Sequence, residues 1–199
     1  MAALPFLPDQ IPAHYDAGGQ VNRWGSKYES LIIPGITVLF GLFMLGMSRF
    51  CARREENGHN NEKVCLIMGI LSMLLFDGMT GFFLYTAFGG VESLSSVTID
   101  INQLVCGLLG LSMVVIGNIM PKLRMNSLMG LRTSWSMKNE TTWKKSQRFG
   151  GISFIAGGAV MVVLCFLLKG MTCFWASMGI LLLLSVTDVW YTYKIAKEF

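Results

Sequence analysis

The chain has 199 residues, of which 53% are hydrophobic and 14% charged, with 16 Lys and Arg against 12 Asp and Glu. Soluble domains carry about a quarter charged residues, so an ordinary water-facing surface is excluded and lipid is the alternative solvent. The net charge of +4 matters less for its size than for where it sits.

In chain order, MAALPFLPDQIPAHYD comes first. It lacks a basic start and a long apolar core, and prolines interrupt it, so it does not read as a cleavable signal. Five apolar segments follow: Leu31–Ser48, Val64–Phe88, Gln103–Met120, Ile152–Leu168 and Phe174–Tyr191. Each approaches the 17–25 residues, about, that a helix needs to cross about 30 Å of hydrocarbon. None contains Lys or Arg, and only a helix satisfies an isolated backbone in lipid. Runs such as GGAVMVVLCFLL and ASMGILLLLSV are apolar all round, unlike the striped helices of a soluble core. The expected fold is an all-α polytopic membrane bundle of about five transmembrane helices.

Charge orients the bundle. Arg49–Lys63, Pro121–Arg148 and the tail from Tyr193 hold thirteen basic residues, whereas the connections on the opposite side hold three, Arg23, Lys27 and Lys169. The positive-inside rule places the N-terminus outside and the C-terminus in the cytoplasm. Topology thus accounts for the basic excess, and no nucleic-acid partner is expected. Trp24, Trp135, Trp143, Trp175 and Trp190 all fall near span ends, where amphipathic rings anchor at the headgroups.

Reactive groups are sparse. Cys51, Cys65, Cys106, Cys165 and Cys173 form no CxxC pair and read as packing residues, so no metal, disulfide framework or cofactor is expected. His14 and His59 fall on opposite sides of the membrane in this topology. Asp77 and Asp188 lie within spans, where an acid is expensive and commonly faces a partner or a water-filled cavity. Thr80, one turn on from Asp77, is its expected hydrogen-bond partner.

Between the third and fourth spans runs PKLRMNSLMGLRTSWSMKNETTWKKSQRFGG, residues 121–151, with seven basic residues and one acid. Pro121 ends the third span. Asn139 is an N-cap candidate, with Glu140 in the first turn of a short helix ETTWKKSQRF. Trp143 is expected on an interfacial face of that helix, and Gly150–Gly151 at the turn into the next span. Arg132 suits bidentate contact with a carboxylate or phosphate. Asn118 and Asn126 are candidates to tie the loop to the third span.

The order of these residues resembles the signature of the SdpI family of bacterial membrane proteins. Gly117, Asn118, Met120, Pro121, Lys122, Asn126, Gly130, Arg132, Thr133, Trp135, Trp143, Arg148 and Gly151 match it. Family members usually have Pro at Ser134 and often His at Gln147. A second block, LPDQIPAHYDAGGQVNRWGSK, resembles the N-terminal module found ahead of that signature, through Pro12, His14, Gly19 and Lys27. Larger members carry a further span, giving six.

The resemblance implies residues 1–50 as an extracellular module with the first span, and 51–199 as an SdpI-like four-helix region. It further implies a bacterial inner-membrane protein conferring immunity to, or sensing, a membrane-active toxic peptide. The expected partners are membrane lipids, a toxic peptide or amphiphile, and a cytoplasmic transcriptional repressor. Two other classes stand beside it. A small exporter would favour inverted repeats or paired broken helices. An intramembrane enzyme would need a nucleophile–base pair or metal-ligand spacing, which the sequence does not display.

Overall fold

The computed structural model describes residues 2–54, 58–126 and 129–199, without the side chains of Cys51, Arg54 and residues 58–61. Cys51 and His59 therefore lie outside the described side chains. A β-hairpin, β1 (Gln10–Tyr15) and β2 (Val21–Ser26), precedes five helices: α1 (Ile32–Arg54), α2 (Gly58–Gly89), α3 (Ile101–Ile119), α4 (Glu140–Leu167) and α5 (Gly170–Glu198). All five helices are long and apolar enough to cross a membrane. Much of their apolar surface points outward, including Leu39, Phe166 and Leu183, as it must where lipid replaces water.

The hairpin is the one element that an all-helical expectation omits. Its strands are antiparallel and irregular around His14, and its turn closes through Gly19 at φ +78°. It is tied to the α2–α3 connection. Tyr15 Oη donates to the Val91 carbonyl at 2.8 Å, and Gln20 Nε2 donates to Ser93 Oγ at 2.7 Å. Two ion pairs fasten its other end, Lys27–Asp9 at 2.8 Å and Arg23–Glu29 at 2.9 Å.

Close backbone approach joins α3 to α4. A Cβ on Gly117 would lie 2.5 Å from the Gly151 carbonyl oxygen, and one on Gly158 would lie 2.5 Å from that of Gly110. These pairs recur at heptad spacing along both helices, the small-residue seam by which membrane helices gain van der Waals contact. Gly150–Gly151 therefore do not turn the chain. α4 runs unbroken through them, because the helix N-capped at Asn139 continues directly into the fourth span.

The connections sort to two ends. The hairpin, the α2–α3 connection and the α4–α5 turn lie together and line one cleft. At the other end, the start of α2, the region after α3 and the start of α4 share one apolar cluster. At the hairpin end, buried Asp100 caps α3 by accepting from Asn102 N at 2.8 Å and Gln103 N at 3.1 Å. Its other oxygen accepts from Gly170 N at 2.7 Å, so one carboxylate fixes both α3 and the α4–α5 turn.

Candidate functional site

The segment after α3 folds as a compact cap over the ends of α3, α4 and α5. Trp143 is its centre. The side chain is 0% exposed, and its indole N–H donates to the Leu123 carbonyl at 2.8 Å. Around it pack Val64, Cys65, Met120, Leu123 and Met129, with Met44, Met68 and Met137 at the margin. The interfacial position expected for Trp143 is corrected. The residue sits one turn inside α4, on the face covered by the returning loop, and the ring fills the space between loop and helix.

Polar side chains of the cap mostly serve its own backbone. Asn126 Oδ1 accepts from Met129 N at 2.6 Å, and its Nδ2 donates to the Arg124 and Met129 carbonyls. Gln147, also 0% exposed, accepts from Leu131 N at 3.0 Å and donates to the Leu131 carbonyl at 2.9 Å. Thr133 and Ser136 each accept a backbone N–H from the other, and Thr133 Oγ1 donates to Thr192 Oγ1 of α5 at 3.0 Å. Asn139 and Thr142 form a reciprocal capping box, which satisfies orphan donors at the α4 N-terminus. Lys138 Nζ donates to the Ala196 carbonyl at 2.8 Å, meeting an unpaired acceptor near the α5 C-terminus.

Gly130 has a specific reason to be glycine. Its φ is +98°, and a Cβ there would lie 2.5 Å from Gln147 Oε1. The backbone of the G-L-R-T run thus presses directly onto the amide that holds it.

The cations point the other way. Lys122, Arg132 and Arg148 are exposed, and Arg132 and Arg148 have no hydrogen bond or ion pair among the described residues. Pro121 is exposed at the end of α3, and Trp135 stacks edge-on against Tyr193 at 5.2 Å. Asn118 is exposed on α3 and its side chain has no hydrogen bond among the described residues, which corrects its expected role as a tie. Asn126 ties the loop to itself instead.

The two span acids differ. Asp188 is 2% exposed and lies 2.7 Å from Ser153 Oγ across the α4–α5 contact. Asp77 is exposed on α2. Thr80 does not partner it, because its hydroxyl donates to the Phe76 carbonyl at 3.0 Å, the usual local bond of a helical Thr.

At the hairpin end, His14 Nδ1 lies 2.6 Å from Asn22 Oδ1. With Asp16, Gly19, Asp100 and Lys169 it borders a cleft of about 600 Å³. Pro12, within β1, is buried, and the Lys27 ammonium holds the Asp9 carboxyl below its ordinary pKa. Among the described residues, no group of three or more His, Cys, Asp or Glu side chains could hold a metal ion.

Asp100 and Ser136 were passed over at the level of sequence, and Gln147 was marked only as a departure from the family's frequent His. The D-x-x-Q spacing of Asp100 and Gln103 before an apolar run was a readable capping signal. Nothing local distinguishes Gln147 from a solvated polar residue.

Residues 122–192 match the SdpI/YfhL protein family, and residues 1–38 match a domain of unknown function, DUF1648. The chain is 26% identical over 167 residues to the immunity protein SdpI of Bacillus subtilis (strain 168), a match covering 81% of this chain and 72% of that protein. No solved structure matches it. The signature cap and the helices that carry it thus fall in the stretch that is similar to the SdpI/YfhL protein family, behind a stretch similar to DUF1648, in a chain with five helices long and apolar enough to cross a membrane.

Proposed function

We propose that the protein protects a bacterial cell against a membrane-active toxic peptide, or senses one, with the hairpin outside and the signature cap in the cytoplasm. The similarity to an immunity protein over four-fifths of the chain carries this reading. The thirteen-to-three distribution of basic residues supports the orientation. On this reading, residues 1–50 form an external module with the first span, and residues 51–199 form the region that carries the cap.

The cap suits a docking role. Its internal hydrogen bonds fix the backbone, so Arg132 and Arg148 are presented from a preorganised surface at low entropic cost. Anionic lipid headgroups attract such residues by about 1 kcal/mol each, and an acidic protein surface, including that of a repressor, would be recruited by the same charges.

Survival of a sensitive bacterium under an SdpI-type toxic peptide tests the proposal. Cells would express the native chain, an Arg132→Ala/Arg148→Ala variant or an empty vector, with matched membrane levels. Protection by the native chain, reduced in the variant, is expected. No protection by inserted native protein overturns the immunity reading; equal protection by both removes the two arginines from the mechanism.

A further inference from the structure

Asp77 is an acid within a span that no described contact explains. Counted from the ends of its span at Glu62 and Gly89, it lies about 22 Å and 18 Å along the helix at 1.5 Å per residue. That places it near the middle of the hydrocarbon. Val64, Phe82 and Thr86 turn into the bundle, Gly41 of α1 meets Met73, and Gly78 meets Leu108 of α3. Asp77 lies between the α1 and α3 contacts, on an outward stripe formed with Ile70, Leu74, Gly81, Tyr85 and Phe88. It has no hydrogen bond or ion pair among the described residues.

We propose that this stripe is the docking face for a membrane-inserted helix that carries a lysine or arginine near its midpoint. Charge complementarity selects that occupant. A carboxyl at mid-bilayer depth is costly unless it meets a cation or donor. A second copy of this chain brings none, because the central part of every span lacks Lys and Arg; its own stripe would add a second carboxyl. One turn beyond Asp77, a Cβ on Gly81 would meet nothing within 4 Å. That notch lets a partner backbone approach closely, bringing a basic side chain to Asp77 while leucine-like residues cover Ile70 and Leu74. The inference deepens the immunity reading by giving the toxic peptide a chemical class, and rests on that reading for the occupant's identity in the cell.

The probe is a labelled 21-residue leucine-rich helical peptide with one central lysine, beside a twin with leucine at that position. Energy transfer to purified full-length protein in phosphatidylcholine vesicles reads binding. The native chain should bind the lysine peptide at least tenfold more tightly than its twin, and Asp77→Asn, which keeps shape and volume, should abolish the difference. Gly81→Leu should weaken binding of both peptides while leaving the folded protein intact by circular dichroism. Equal binding of the peptides, binding of neither, or an undiminished preference in Asp77→Asn overturns the proposal. So does efficient joining of two Asp77→Cys chains through that residue, which would make a second copy the occupant. Vesicle binding and cell survival are independent, so a chain that protects cells without lysine preference loses this inference and keeps the immunity reading.

Discussion

Replacing Gly130 by alanine tests how the cap is held. The residue adopts φ +98°, a region that costs a residue with a Cβ about 1–3 kcal/mol. The new Cβ would also sit 2.5 Å from Gln147 Oε1, displacing the amide from both of its bonds to Leu131. Each such bond contributes about 1 kcal/mol net, so Gly130→Ala should cost about 4 kcal/mol. Gln147→Ala alone should cost about 2 kcal/mol, chiefly by stranding the Leu131 N–H, since the Leu131 carbonyl still accepts from Ser136 Oγ at 2.9 Å. In the double variant the obstacle is already gone. The total should therefore remain near 4 kcal/mol, leaving a coupling of about 2 kcal/mol. Reversible unfolding of the four proteins in mixed micelles measures the cycle, and hydrogen exchange at the Leu131 amide localises it. Additivity within about 0.5 kcal/mol would refute the contact between Gly130 and Gln147.

Gly158→Ala places a Cβ 2.5 Å from the Gly110 carbonyl oxygen and should destabilise by about 1–3 kcal/mol. Gly46→Ala, where a Cβ meets nothing within 4 Å, should be neutral or stabilise by up to about 1 kcal/mol in the same unfolding measurement. Asp100→Ala should cost at least the 0.5–2 kcal/mol, roughly, of a lost N-cap and speed exchange of the Gly170 amide. Asp100→Asn keeps the size but only one acceptor oxygen, so it should cost less by retaining the α3 cap while still speeding exchange of the Gly170 amide, whose acceptor becomes an NH2 group. The Asp9 carboxyl, held below its ordinary pKa by Lys27, should support hairpin attachment fully above about pH 4. That support should fade as pH falls through the lowered value; hydrogen exchange of β2 across an acid titration follows it, with Asp9→Asn giving a flat profile.

The helical bundle was legible because lipid imposes length and apolarity on every span, and the structure chiefly lengthens those spans, with side-chain caps at the starts of α3 and α4, rather than moving them. Asn139 was legible as a cap for the same reason: the chemistry is local. Trp143 was misread because a tryptophan between basic residues has the composition of an interfacial helix, while its burial depends on residues twenty positions earlier folding back over it. Gly150 and Gly151 were misread because a glycine pair marks a bend and a close helix contact equally well. The facing Gly117, distant in sequence, distinguishes the two. Gln147 stood out only as a departure from the family's frequent His; its burial was not legible, since its partners are backbone atoms of Leu131, invisible to any pattern of side chains.

The chain spends its polar side chains in two ways, and the contrast locates its chemistry. Asn126, Gln147, Ser136, Thr142, Asn139 and Asp100 satisfy backbone groups within the protein, and each can be understood without a partner. Arg132 and Arg148 at the cap, and Asp77 at mid-span, make no such bond among the described residues. For the arginines water can supply the missing contacts, so their exposure is consistent with docking without requiring it. For Asp77, near mid-span, an acid is expensive unless it meets a partner or a water-filled cavity. The acid in the second span therefore constrains function more tightly than the conspicuous basic loop does, although the loop carries the likeness to the family.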